Sequence, residues 1–149
     1  MTSHLVAVLV GAFIWAKLEV EIEGKHGWAK NLPTWRIEKH VLLDIFMGGR
    51  PLTGFHTWAF SFVAFAFHLP LLWMGRWTPG LECEVLGSLM LFWVLEDFFW
   101  FIINPHYGWQ RYRRQEIQWH PRWFWVLPAD HWAMLALGFS LLACAHYKS

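Results

Sequence analysis

The sequence predicts an all-α fold, an integral membrane four-helix bundle formed by a single transmembrane domain over residues 1–149. Hydrophobic residues make up 56% of the chain and 13 residues are tryptophan, which is too apolar and aromatic for an ordinary soluble domain of this size. A helix needs roughly 20 mostly apolar residues to cross a bilayer. Four segments meet this requirement, at about 4–22, 55–73, 81–104 and 129–147.

The distribution of lysine and arginine predicts how these spans are oriented. The two long loops, between the first and second spans and between the third and fourth, carry nine basic residues: Lys25, Lys30, Arg36, Lys39, Arg50, Arg111, Arg113, Arg114 and Arg122. The opposite side carries only Arg76 and Lys148. Since basic loops stay in the cytoplasm, we expect both termini outside a prokaryotic inner membrane. The net charge of +1 says little about partners, because the basic residues are sorted by side. We expect membrane lipids as partners and no nucleic acid.

The first span ends in a run of acidic residues. Glu19 and Glu23 are four residues apart and therefore share a helix face with small alanines, which favours an interior position. Glu23 and His26 have the spacing with which a helix offers two ligands to a metal pair, provided that Gly24 does not end the helix first. The alternative is a solvated acidic end to a membrane helix.

The segment between Pro33 and the Gly48-Gly49 pair predicts an amphipathic helix on the cytoplasmic interface, capped by Thr34. Its apolar face would contain Trp35, Val41, Leu42, Ile45 and Phe46. His40 and Asp44, four residues apart, either share a metal, orient each other or simply face solvent.

The third span, LGSLMLFWVLEDFFWFIIN, contains two adjacent acids, Glu96 and Asp97. Carboxylates at membrane depth are costly and usually face a bundle interior or a wet cavity. Helical geometry predicts an inward arc of Trp93, Glu96, Asp97, Trp100 and Asn104, and a lipid-facing side of Leu91, Val94, Leu95, Phe98, Phe99 and Ile102. The alternative role for the two acids is to accept hydrogen bonds from buried tryptophans or to pair with arginine.

Most of the potentially reactive residues fall in the cytoplasmic half of the predicted topology. The expected metal ligands are Glu19, Glu23, His26, His56, Glu96, Asp97, His120 and His131, supported by His40, Asp44, Asn104, His106 and Asp130. Imidazole and carboxylate ligands without thiolate suit iron, zinc or manganese, so we expect one or two transition-metal ions. Arg113 and Arg114 are suited to an anionic lipid headgroup. Cys83 and Cys144 either form a disulfide or serve as small apolar residues.

Three stretches, EGKHGWAKNLPTWR, GGRPLTGFH and EDFFWFIINPHYG, resemble those of a family of small prokaryotic membrane proteins with four spans. The resemblance covers most of the chain. It implies the four-span fold and carries no activity.

These patterns predict a membrane-embedded His/carboxylate metalloprotein, an enzyme acting on a lipid or other hydrophobic substrate at the cytoplasmic leaflet by metal-dependent oxidation or hydrolysis. The HxxxH and HxxHH boxes of histidine-rich membrane desaturases are absent, and so are P-loop and dinucleotide fingerprints. Two alternatives remain open. One is a proton or metal-ion pathway in which Glu96 and Asp97 are carriers, and the other is a non-catalytic accessory membrane subunit.

Overall fold

The computed structural model describes residues 2–47, 49–113, 116–117, 119–120 and 122–147. The chain is mostly helical, with 69% of its residues in helices, which confirms the all-α prediction. The helices are α1 (Thr2–Glu23), α2 (Val41–Phe46), α3 (Gly54–Met74), α4 (Pro79–Ile103), α5 (Gly108–Arg113) and α6 (Ala129–Tyr147). Four two-residue strands, β1 (Arg36–Ile37), β2 (Leu52–Thr53), β3 (Trp123–Phe124) and β4 (Leu127–Pro128), form two small antiparallel pairs.

The four long helices, α1, α3, α4 and α6, occupy the four segments expected to span a membrane. Within the described residues, two of them, α3 and α4, are long and apolar enough to cross one. The other two carry polar residues toward one end, with Lys17, Glu19 and Glu23 in α1, and Asp130 and His131 in α6. These polar residues lower the mean hydropathy of α1 and α6, although the lengths of both helices match the prediction.

Local capping signals fix where α3 and α4 begin and end. The Thr53 side chain accepts a hydrogen bond from the backbone N–H of His56, and the Thr78 side chain caps α4 in the same way, with Pro79 following. Both are favoured helix starts. The helix α3 ends at Gly75, whose φ of 59° is the left-handed conformation that glycine adopts most readily.

The helix α4 packs against both α1 and α6. Leu91 and Val94, expected on the lipid-facing side, are each only 6% exposed, so that expectation is wrong for these two residues. Leu91 lies against α6 near Gly138. Neighbouring helices therefore bury more of the surface of α4 than the predicted inward arc alone.

Two glycines allow α4 and α6 to approach closely. A Cβ atom on Gly87 would lie 2.9 Å from the backbone oxygen of Gly138, and one on Gly138 would lie 3.1 Å from the Cβ of Met90. Small residues at helix crossings have this function in membrane bundles. Because it fixes how the two helices pack, the crossing also fixes the position of the C-terminal end of α4 relative to the start of α6.

The predicted amphipathic helix over residues 34–47 is much shorter in the structure. Only Val41–Phe46 is helical, and His40 rather than Thr34 caps it, with Nδ1 accepting from the Leu42 backbone N–H. The preceding residues pair as strand β1 with β2, and the Thr34 hydroxyl instead accepts from the backbone N–H of Phe55. These tertiary hydrogen bonds to the start of α3 replace the helical ones that the local pattern favoured.

Candidate metal centre

Three side chains from different parts of the sequence meet where the C-terminal part of α4 lies beside the first turn of α6. The Oδ2 atom of Asp97 lies 3.1 Å from Nε2 of His120 and 3.2 Å from Nε2 of His131. One potential ligand atom from each residue lies within 4.8 Å of the other two. Both histidines are only 3% exposed. Asp97, His120 and His131 therefore form a buried group that can bind a metal ion.

The fold positions these residues separately. Asp97 lies in the last part of α4, and His131 lies in the first turn of α6. His120 lies in the loop before β3, where its backbone N–H donates to the carbonyl of Ile117 and its own carbonyl accepts from the indole N–H of Trp123. A loop residue held by these bonds completes a site whose other members lie on helices.

Asp130 and Arg50 extend the group on the side of His120. The Nδ1 atom of His120 lies 3.4 Å from Oδ1 of Asp130, and the Arg50 guanidinium donates to the other Asp130 oxygen at 2.8 Å. Burial by itself would lower the pKa of His120, but the charge of Asp97 and the hydrogen bonds to Asp130 and Asp97 raise that pKa to about 9. A metal ion that binds His120 near neutral pH therefore has to displace a proton.

The spacing of the ligand atoms is compatible with coordination. Metal-to-ligand distances of about 2.0–2.1 Å in tetrahedral geometry place neighbouring ligand atoms about 3.3 Å apart. The two distances from Asp97 to the histidines, 3.1 and 3.2 Å, are close to this value. Asp130 is placed as the carboxylate that commonly accepts a hydrogen bond from the other nitrogen of a ligating histidine.

The group borders a cavity of about 360 Å³ between the helices. Its polar wall contains Glu19, Glu23, His56, Glu96, Asp97, Asp130 and His131, and its apolar wall contains Phe60, Ala64, Leu89, Trp93 and Met134. Asp97 and His131 line this cavity and His120 lies behind them. Catalytic metal sites typically keep a position for water or substrate beside their protein ligands.

Four further residues predicted as ligands lie together on the polar wall. The carboxyl groups of Glu19 and Glu96 are in hydrogen-bonding contact, and Oε1 of Glu23 lies 3.6 Å from Nε2 of His56. All four side chains are buried. Seven of the eight residues predicted as metal ligands are therefore at this end of the cavity or in the Asp97 group.

The eighth, His26, lies in a neighbouring surface pocket with Lys30 and Arg36 and is not among the residues that line the cavity. Gly24 adopts a φ of 63°, and α1 ends at Glu23, so Glu23 and His26 do not share a helix face. The left-handed conformation is one that glycine accepts without strain.

Of the residues expected to support the metal ligands, some lie at the site and others lie elsewhere. Asp130 contacts His120, whereas Asn104 has a structural role: its Nδ2 donates to the carbonyl of Gly24 at 2.9 Å and joins the end of α4 to the end of α1. His40 caps α2, and His106 and Arg113 are exposed. The side chain of Asp44 and all of Arg114 lie outside the described residues. Cys83 and Cys144 are not joined by a disulfide bond.

Three residues that shape the polar wall were not among the predicted site residues. Arg50 was recognised only as a loop charge, Thr53 contacts Nδ1 of His56 at 2.7 Å, and Trp28 stacks on the His56 ring at 4.2 Å. The Thr-Gly-Phe-His spacing of a helix cap was the one available signal, and it indicates Thr53. The partners of Arg50 and Trp28 are distant in sequence and leave no local pattern.

Comparisons of this chain with protein-family models, with curated proteins and with solved structures found no match. The candidate metal centre is therefore identified by its geometry and residue chemistry.

Proposed function

We propose that this protein is a membrane-embedded metalloenzyme in which Asp97, His120 and His131 bind a transition-metal ion. The observation that carries the proposal is the convergence of one carboxylate and two imidazoles, with ligand atoms within 4.8 Å of one another, beside a cavity that Asp97 and His131 line. Ligands of this type suit iron, zinc or manganese. A zinc ion at such a site supports hydrolysis, and an iron ion supports oxidation.

The exposed apolar surface supports a four-span membrane arrangement, in addition to the apolar character of α3 and α4. The outer face of α1 is exposed at Leu5, Val6, Leu9, Val10, Phe13, Ile14, Leu18 and Ile22. A contiguous apolar face of this length is unfavourable in water, and it marks a protein or membrane contact. We propose that α1 faces lipid here and that its two buried acids, Glu19 and Glu23, face the cavity.

The shape of the cavity supports a hydrophobic substrate. Its apolar wall includes Ala64 on α3, which lies eight residues, or about 12 Å of helix, beyond His56 on the polar wall. A lipid or another molecule with an apolar chain fits a cavity that is polar at one end and apolar at the other. With the basic loops in the cytoplasm, the polar end faces the cytoplasmic leaflet.

Elemental analysis of the protein, purified gently in detergent, tests the metal proposal. We expect at least one iron, zinc or manganese ion per chain in the native protein and its loss in Asp97→Asn. Glu82→Gln is a matched control, because Glu82 contacts one histidine, His68, at 3.2 Å at the other end of the bundle, and it should keep the metal. Absence of all three metals from the native protein would contradict the proposal and favour an accessory subunit.

A further inference from the structure

Three acidic side chains are buried together on the polar wall of the cavity. Glu19 and Glu96 are 7% and 5% exposed, and the side chain of Glu23 is 4% exposed. The Trp15 indole donates to Glu19 at 3.1 Å, and the backbone N–H of Ala29 donates to Glu23 at 2.6 Å. Among the described residues, no lysine or arginine forms an ion pair with any of the three acids. Buried carboxylates without a positive partner are strongly unfavourable.

Glu96 provides a second and independent observation. Apart from the contact of its carboxyl group with that of Glu19, the buried Oε1 atom of Glu96 has no hydrogen-bond partner within the described part of the chain, although Glu96 lines the cavity. Buried polar atoms are normally paired, and an exception in a functional cavity indicates a ligand or ion that completes the pairing.

His56 offers a further potential metal ligand beside these acids. Its Nδ1 atom contacts the Thr53 hydroxyl at 2.7 Å, and its ring stacks on Trp28, so that Nε2 is directed at Glu23 with 3.6 Å between Nε2 and Oε1. When one histidine nitrogen is held by a neighbouring hydroxyl or carboxylate, the other nitrogen is oriented for metal binding.

We propose that Glu19, Glu23, Glu96 and His56 form a second cation site, specific for a hard divalent ion such as Mn²⁺ or Fe²⁺. Three carboxylates with one imidazole favour these ions over softer ones. The inference rests on the proposed function, because the site would be the second position of the same metal centre. The bound cation would offset the buried negative charge and pair the Oε1 atom of Glu96.

Manganese titration of zinc-loaded protein tests this site. The full chain in detergent receives one equivalent of Zn²⁺, and free Mn²⁺ is then counted by electron paramagnetic resonance during titration. We expect one tightly bound Mn²⁺ per zinc-loaded chain, and at least tenfold weaker Mn²⁺ binding in Glu96→Gln and in Glu19→Gln. Two isosteric variants are used so that a folding defect in one of them does not decide the result.

Glu21→Gln is the matched control, since Glu21 lies on the same helix but is exposed and bonded to Lys17. Unchanged Mn²⁺ binding in this control supports a specific site. If zinc binds and Mn²⁺ does not, or if both glutamine variants bind Mn²⁺ as the native protein does, the second site is overturned while the proposed function stands. If zinc fails to bind but Glu96-dependent Mn²⁺ binding persists, the Asp97 group is overturned and the second site stands.

Discussion

Asp97 on α4 and His131 on α6 meet with 3.2 Å between Oδ2 and Nε2. The two residues come from helices that cross at Gly87 and Gly138, where a Cβ atom on Gly87 would lie 2.9 Å from the Gly138 backbone oxygen. Backbone cannot move aside as the end of a long side chain can. We therefore expect a change in the crossing distance between the two helices to alter the geometry of the candidate metal centre.

Gly87→Ala should separate α4 from α6. We expect overpacking to cost about 1–3 kcal/mol, which outweighs a gain of up to about 1 kcal/mol in helix propensity, and we expect weaker metal binding. Gly11→Ala is the control, because its Cβ would meet only Phe92 at an ordinary 3.7 Å. Denaturing-detergent titration measures both stabilities. Equal stability of the two variants would contradict the close-packed crossing.

Asp130→Asn should weaken the metal centre through His120. Loss of the carboxylate beside a ligating histidine typically lowers metal affinity about 10–100-fold, and without the hydrogen bond to the Asp130 carboxylate the pKa of His120 should fall below about 9. Zinc competition with a chelator and an NMR titration of histidine in metal-free protein measure the two effects. Glu38→Gln, at an exposed acid, should change neither.

Thr53→Val tests the support of His56. Thr53 caps α3 and contacts His56, whereas Thr78 caps α4 and is exposed. Both valine variants should lose about 1 kcal/mol of stability with the cap, but only Thr53→Val should reduce Mn²⁺ affinity. Equal Mn²⁺ affinity in the two variants would show that Thr53 does no more than cap the helix.

The topology predicts that the C-terminus lies outside the cytoplasm. Alkaline phosphatase fused after Ser149 should be active, and the same enzyme fused after Asn31, in a loop expected to be cytoplasmic, should be inactive. Activity measured in whole cells distinguishes the arrangements. The reverse pattern would place the metal centre at the outer face.

Much of the helical framework is predictable from local patterns. Apolar runs define the long helices to within a few residues, whereas the caps at Thr53 and Thr78 were not predicted. The lipid-facing side of α4 was less predictable, because lipid and a neighbouring helix both favour leucine and valine. Leu91 and Val94 were misassigned for this reason.

The candidate site was predictable as a set of residue types at one end of the bundle, but its contacts were not. Helical periodicity directs Asp97 inward, whereas the position of His120 depends on a loop held by hydrogen bonds within the loop and on rings packed around it. The pairing of Arg50 with Asp130 joins residues 80 apart in sequence. His26 was assigned to the helix face because sequence patterns did not establish that Gly24 ends α1.

X-ray absorption spectroscopy at the absorption edge of the bound metal tests the central claim most directly, because the spectrum reports which atoms coordinate the metal and at what distance. For the gently purified native protein, we predict two imidazole ligands and oxygen ligands at about 2.0–2.2 Å, with no sulfur. His131→Ala should remove one imidazole contribution or the metal itself. A spectrum dominated by sulfur at about 2.3 Å, or one that is unchanged in His131→Ala, would contradict a centre formed by Asp97, His120 and His131.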